Sequence, residues 1–138
     1  MSDSGEQLIE AATAARLKSV APFSNFLVGA ALRTKAGKVY IGCNIESASY
    51  GLTVCAERVA IWKALSEGDR DFTDLVVVAD TESLTPPCGT CRQIIWEFAK
   101  HARIVLANLN GQSEEVSIRD LLPRAFDARF LKERDRAK

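Results

Sequence analysis

Two short stretches of the chain carry side chains that could do chemistry. One is Cys55-Ala56-Glu57-Arg58, the other Pro87-Cys88-Gly89-Thr90-Cys91-Arg92-Gln93. Each opens a segment of helical periodicity. Thr53 to Glu67 reads as a helix capped by Thr53 and ended by Gly68, and Cys88 to Lys100 reads as another. Cys88 and Cys91 stand at i and i+3, so they share a helical face. Ile94, Ile95 and Phe98 continue that stripe, which turns the face inward. Thiols at helix N-termini meet free N–H groups and the positive end of the helix dipole, and both favour thiolate. Thiolate is the form that binds metal, and three soft ligands suit zinc. Three protein ligands leave a fourth position for water, whose pKa zinc brings toward ~7. One Zn²⁺ per chain on Cys55, Cys88 and Cys91 is therefore expected, with Glu57 as the adjacent general acid and base. A structural zinc, a redox pair and inert core thiols are the competing uses of the same cysteines, since C-x-x-C is shared with thioredoxin-like motifs.

Geometry and charge add conditions. In a regular helix, i and i+2 point roughly 200° apart. Cys55 and Glu57 can serve one site only if Cys55 sits in an irregular first turn. Three thiolates on Zn²⁺ leave one surplus negative charge, which two helix N-termini and the Arg58 guanidinium would offset. The fourth cysteine, Cys43, shares a strand face with Val39, Ile41 and Ile45 and reads as a small core residue. As a fourth ligand it would close the site. Asn44 and Glu46 project together from the other face of that strand's end. An amide donor and a carboxylate acceptor complement a diol, so they are candidates for binding sugar hydroxyls. A solvated edge is the alternative. His101, beside Lys100 at a helix C-terminus, reads as a surface residue.

The remaining elements must hold these pieces together. The chain has 138 residues, 47% apolar and 26% charged, with the makeup of one globular domain over 1–138 and a patterned core over about 6–126. Lys plus Arg number 18 and Asp plus Glu 18, a balance that weighs against nucleic-acid or anionic-membrane partners. No apolar run approaches the ~18 residues of a membrane span. The first twenty residues lack a basic region followed by an apolar block, so a cytoplasmic location with reduced thiols is expected. Glu6 to Ser19 reads as a helix stopped by Pro22, and Phe26 to Arg33 with Lys38 to Ile45 as a hairpin around Lys35-Ala36-Gly37. Asp74 to Asp80 and Arg103 to Leu109 are apolar strands, and Ile118 to Leu122 a short helix cut by Pro123. The order α-β-β-α-β-α-β-α implies a mixed sheet with helices on its faces and the two apolar strands at its centre.

With these residues in hand, the chain resembles the small, three-cysteine cytidine deaminases from about Glu6 to Phe126. The resemblance rests on APFSNFLVGAAL (Ala21 to Leu32), GKVYIGCNIESASYG (Gly37 to Gly51), CAERVAIWKALSEG (Cys55 to Gly68), PCGTCRQ (Pro87 to Gln93) and LLPRAF (Leu121 to Phe126). It implies an α/β fold, a three-layer α-β-α sandwich with a central five-stranded mixed sheet. One more short strand is therefore expected in the C-terminal third, beyond the four read above. It also implies zinc-dependent hydrolytic deamination of cytidine and 2′-deoxycytidine in pyrimidine salvage, with water as co-substrate. Cys55, Cys88 and Cys91 would hold the zinc, Glu57 would move protons, and Arg58 would hydrogen-bond the thiolates. Phe26, Asn44 and Glu46 would line the nucleoside pocket, and Ala56 would meet the base through its backbone. Tyr50 and Phe126 would reach a neighbouring subunit's pocket in a homotetramer with composite active sites. Val20, Pro86 and Arg124 depart from the usual pattern, and Arg124 puts a bulky cation beside Phe126. Blasticidin S, an N4-modified cytidine, or a non-catalytic zinc-stabilised binding role are the alternatives.

Overall fold

Alternation along the strands decides the layers. The computed structural model describes residues 3–136. In β1 (Val28–Thr34), Ala30 and Leu32 join one apolar cluster and Ala31 the other. β3 (Phe72–Ala79) divides the same way, with Leu75 and Val77 on one side and Val76 and Val78 on the other. The sheet therefore has two buried faces. One is covered by α1 (Asp3–Arg16) through Leu8 and Ala12. The other is covered by α2 (Ala56–Ser66) and α3 (Gly89–Phe98) through Ala60, Ile61, Ala64, Ile95 and Trp96.

β2 (Val39–Cys43), β4 (Arg103–Ala107) and β5 (Ser113–Val116) complete the five-stranded sheet, in the order β2-β1-β3-β4-β5. Only β3 and β4 run parallel, and the crossover between them contains α3. This is the three-layer mixed α/β architecture that the resemblance implied, with β3 at its centre. β5 is the expected fifth strand. α4 (Ile118–Leu121) matches the expected short helix, and α5 (Ala128–Arg136) is an additional one.

Two expectations about burial are corrected. On β2, Tyr40 and Gly42 are the buried residues, whereas Val39 is exposed and Ile41 and Cys43 are half-buried. β2 is an edge strand whose better-covered face lies under α2, so Cys43 is a partly covered edge residue and not a core one. On α3, Cys91 and Ile95 are buried, but Phe98 is 42% exposed and Trp96 takes its place in the core. There the inward stripe is narrower than the apolar pattern suggested.

Gly42 sets how closely α2 approaches the sheet. A Cβ there would stand 2.3 Å from the carbonyl oxygen of Ala56 and 2.7 Å from the amide nitrogen of Ala60. Both are backbone atoms, so the helix itself must move to make room. Gly42→Ala is expected to destabilise the protein by about 1–3 kcal/mol through overpacking. It should also loosen metal binding, because the displaced turn follows Cys55 directly. Thermal unfolding and zinc affinity measured together check this, and an unchanged Tm would show that α2 is free to shift.

Candidate active site

Both metal-binding stretches meet at the N-termini of α2 and α3. Cys55 is the residue before α2, with φ −75° and ψ 156°, and Cys88 is the residue before α3, with φ −66° and ψ 168°. Both are extended, and neither side chain caps its helix. This resolves the angular conflict between Cys55 and Glu57: Cys55 is extended and precedes the helix, so the two side chains are not related by helical geometry. Thr53, expected as the cap, instead ends the short 3-10 turn of Tyr50–Leu52, and its hydroxyl accepts the Ser47 N–H at 3.0 Å. The helix starts three residues later than its sequence suggested.

The sulfur atoms of Cys55, Cys88 and Cys91 lie within 4.8 Å of one another, and those of Cys55 and Cys88 are 3.6 Å apart. Tetrahedral zinc with Zn–S bonds of about 2.3 Å needs sulfurs about 3.8 Å apart, so the cluster fits zinc with little adjustment. Cys43 is not in the cluster. Hydrogen bonding from the Cys91 thiol, then from Arg58, pulls the Cys55 thiol down to about 5. The same hydrogen bond, with burial, pushes Cys91 up.

Arg58 stands where the charge balance asks for it. Its Nη2 donates to the Cys55 sulfur at 3.5 Å and to the Thr53 carbonyl at 3.3 Å, while the guanidinium lies over the Trp62 ring. Its Nε is buried without a hydrogen-bond partner among the described residues. A guanidinium with a donor to spare suits a cluster that becomes fully anionic on metal loading.

Cys55 and Cys88 edge a cavity of about 260 Å³, lined also by the start of α2 and by Ser24, Phe26 and Val28. Cys55, Cys88, Ala56 and Glu57 line it together with Phe26, Asn44 and Glu46; Ala56, Glu57 and Asn44 are buried, whereas Phe26 and Cys88 are exposed. Glu57 is only 4% exposed, and burial is the main cause pushing its carboxyl up to about 7, with the negative charge on Cys55 adding to it. A carboxyl that changes protonation near neutrality can both take and give a proton. Glu46 has the opposite setting. The Ser24 hydroxyl and two backbone N–H groups hold its carboxylate below the usual range.

Sequence reasoning missed part of the wall. Val77, from the central strand, and Ser24, Thr53, Thr85 and Pro86, from loops, also line the cavity. Of these only Ser24 lay inside a motif already singled out; Pro86 was noted as a departure from the usual pattern just before another, and neither had been given a role. Tyr50 and Phe126 do not line this chain's cavity. Tyr50 is 73% exposed and meets Phe23 edge-on. Phe126 is 58% exposed, stacks on Phe130, and is held by Gln93 of α3, which donates to its carbonyl at 2.8 Å.

Comparison with known proteins places the chain in a family. Residues 2–108 match the family model for the cytidine and deoxycytidylate deaminase zinc-binding region. A cytidine deaminase of Halalkalibacterium halodurans is 50% identical over 124 residues, covering 89% of this chain and 94% of that protein. A blasticidin-S deaminase of Bacillus cereus is 38% identical over 104 residues, covering 70% of this chain and 74% of that protein. Among solved structures, the cytidine deaminase of Burkholderia pseudomallei superposes with a TM-score of 0.86 at 50% identity, covering 91% of this chain and all of that one. The cytidine deaminase of Mycobacterium tuberculosis gives 0.78 at 35% identity, covering 92% and 99%. A matching family model, matching folds and a three-thiol cluster at two helix N-termini lead to one conclusion: the chain belongs to the cytidine and deoxycytidylate deaminase family of zinc-binding proteins.

Proposed function

We propose that the protein is a zinc-dependent deaminase that hydrolyses cytidine and 2′-deoxycytidine to uridine and 2′-deoxyuridine, releasing ammonia. The observation that carries this reading is a buried Glu57 on the same small cavity as Cys55 and Cys88 of the three-thiol cluster. Cys55, Cys88 and Cys91 would hold the zinc, which when bound would supply Lewis acidity and lower the pKa of water toward neutrality. Glu57 then accounts for the proton traffic. It takes a proton from the attacking water and delivers it to N3 of the base. A second transfer moves a proton to the amino nitrogen, which leaves as ammonia. Ala56, fully buried beside it, offers backbone groups to the edge of the base.

The cavity favours a nucleoside over a nucleotide. Among the described residues that line it there is no Lys or Arg, whereas Glu46 and Glu57 are carboxylates. A phosphate would meet like charge there. Asn44 and Glu46 on the cavity wall suit sugar hydroxyls, which favours cytidine and 2′-deoxycytidine over amino-pyrimidines without such a sugar. The exposed aromatics Tyr50 and Phe126, with the open apolar surface of Ile45, Leu52 and Trp62, support a homotetramer whose subunits complete each other's sites. Free thiols held ready for zinc are consistent with a reducing cytoplasm, where such an enzyme would serve pyrimidine salvage.

Substrate ratios test the nucleoside assignment. With kcat/KM measured for cytidine, 2′-deoxycytidine, CMP and cytosine, both CMP and cytosine should be poor substrates. Remote sugar contacts orient the reacting base, so cytosine should lose turnover as well as affinity. Glu46→Ala should cost cytidine about 1–3 kcal/mol of transition-state binding and cost the residual cytosine reaction less. Turnover of cytosine or CMP as good as that of cytidine would remove the nucleoside assignment.

A further inference from the structure

One wall of the cavity is a loop whose hydrogen bonds converge on Glu46, Asn44 and the Ser24 hydroxyl. Glu46 Oε1 accepts the backbone N–H groups of Phe23 and Ser24, at 2.9 and 3.1 Å, and the Ser24 hydroxyl donates to Glu46 Oε2. The oxygen of that hydroxyl accepts the Phe26 N–H at 3.0 Å. Between Ser24 and Phe26, Asn25 takes φ 54°, a left-handed conformation that asparagine tolerates better than most residues. Asn44 holds the other side of the same peptide segment. Its Nδ2 donates to the Phe26 carbonyl at 2.7 Å, and its Oδ1 accepts the Val28 N–H at 2.9 Å. Ser24, Phe26, Asn44 and Glu46 all line the cavity.

A carboxylate offers about four acceptor sites. Two backbone N–H groups take up Oε1 and the Ser24 hydroxyl takes one site on Oε2, which leaves one site on Oε2 for a ligand. We infer that Ser24 is a positioning residue that sets sugar specificity: its hydroxyl directs the remaining Oε2 site toward a single sugar hydroxyl and fixes Phe26 beside the base. The inference rests on the proposed role of Glu46 as the sugar acceptor. Removing the hydroxyl leaves Glu46 anchored by the two N–H groups and the Phe26 carbonyl held by Asn44, so the wall stays in place and only the Phe26 N–H is released. Oε2 then presents two open sites, water competes for them, and the preference for one hydroxyl geometry is lost.

The test compares 2′-deoxycytidine with 2′,3′-dideoxycytidine, which differ by one hydroxyl. The zinc-loaded wild type should favour the former in kcat/KM by roughly 10–100-fold, the range expected for one hydrogen bond to a charged acceptor. Ser24→Ala should shrink that ratio at least about fivefold, mainly through KM, with zinc content and Tm unchanged; Ser24→Thr, which keeps the hydroxyl, should restore it. If Ser24→Ala loses metal or stability, Ser24→Cys, of similar shape and with only a weak donor, carries the same expectation. A merely structural role would lower activity on both substrates equally, so an unchanged ratio in the variant overturns the inference. A wild type that does not distinguish the two substrates overturns the sugar role of Glu46 first and this inference with it.

Discussion

Glu57→Gln should fold, bind one zinc per chain and lose at least ~10²–10⁴-fold in kcat, the usual worth of a positioned acid–base group. The amide keeps the size and shape of the carboxyl but cannot carry a proton from water to the base or on to the leaving nitrogen. Because one residue serves both transfers, the loss should lie at or beyond the upper end of that range. Stability should not suffer. Burial already works against the charged form of Glu57, pushing it up to about 7, so a neutral side chain removes a cost. Zinc content, Tm and kcat on one preparation separate these outcomes. Activity within tenfold of wild type would exclude Glu57 from the chemistry.

Cys88→Ala should remove zinc and activity together, whereas Cys43→Ala should remove neither. The triad supplies every sulfur the metal has, and thiolate–zinc binding is worth ~10–16 kcal/mol in small structural sites. Losing one of three ligands therefore weakens affinity by orders of magnitude. Cys43 is half-buried at the edge of the sheet and lies outside the cluster. Metal analysis after dialysis against a mild chelator distinguishes the two variants. Zinc lost from the Cys43 variant and kept by the Cys88 variant would overturn the ligand set.

How much of this was legible in the sequence depended on distance along the chain. The zinc cluster was readable because each half is a local motif: Cys88 and Cys91 are three residues apart, and Cys55 sits two residues from Glu57. The central strands were readable from LVVVA and IVLA, which need no partner to look buried. Expectations failed where packing from elsewhere decides the outcome. Tyr40 and Gly42, rather than Ile41 and Cys43, face the main core because α2 covers that side of the edge strand. Thr53 has the chemistry of a helix cap, but the turn at Tyr50–Leu52 uses it first. β5 is Ser-Glu-Glu-Val, too polar to announce a strand, and is held by pairing with β4. α5 was missed because ARFLKERDR reads as a polar end. The tie between Ser24 and Glu46 spans 22 residues, and no local pattern marks it.

The most direct test of the central claim is ammonia release from cytidine by purified, zinc-loaded protein. The expected result is ammonia and uridine formed one to one, turnover abolished by chelation, and turnover restored by added zinc. A protein that carries one zinc per chain yet releases no ammonia from cytidine, 2′-deoxycytidine or any other amino-pyrimidine would contradict the account and leave the metal a purely structural role.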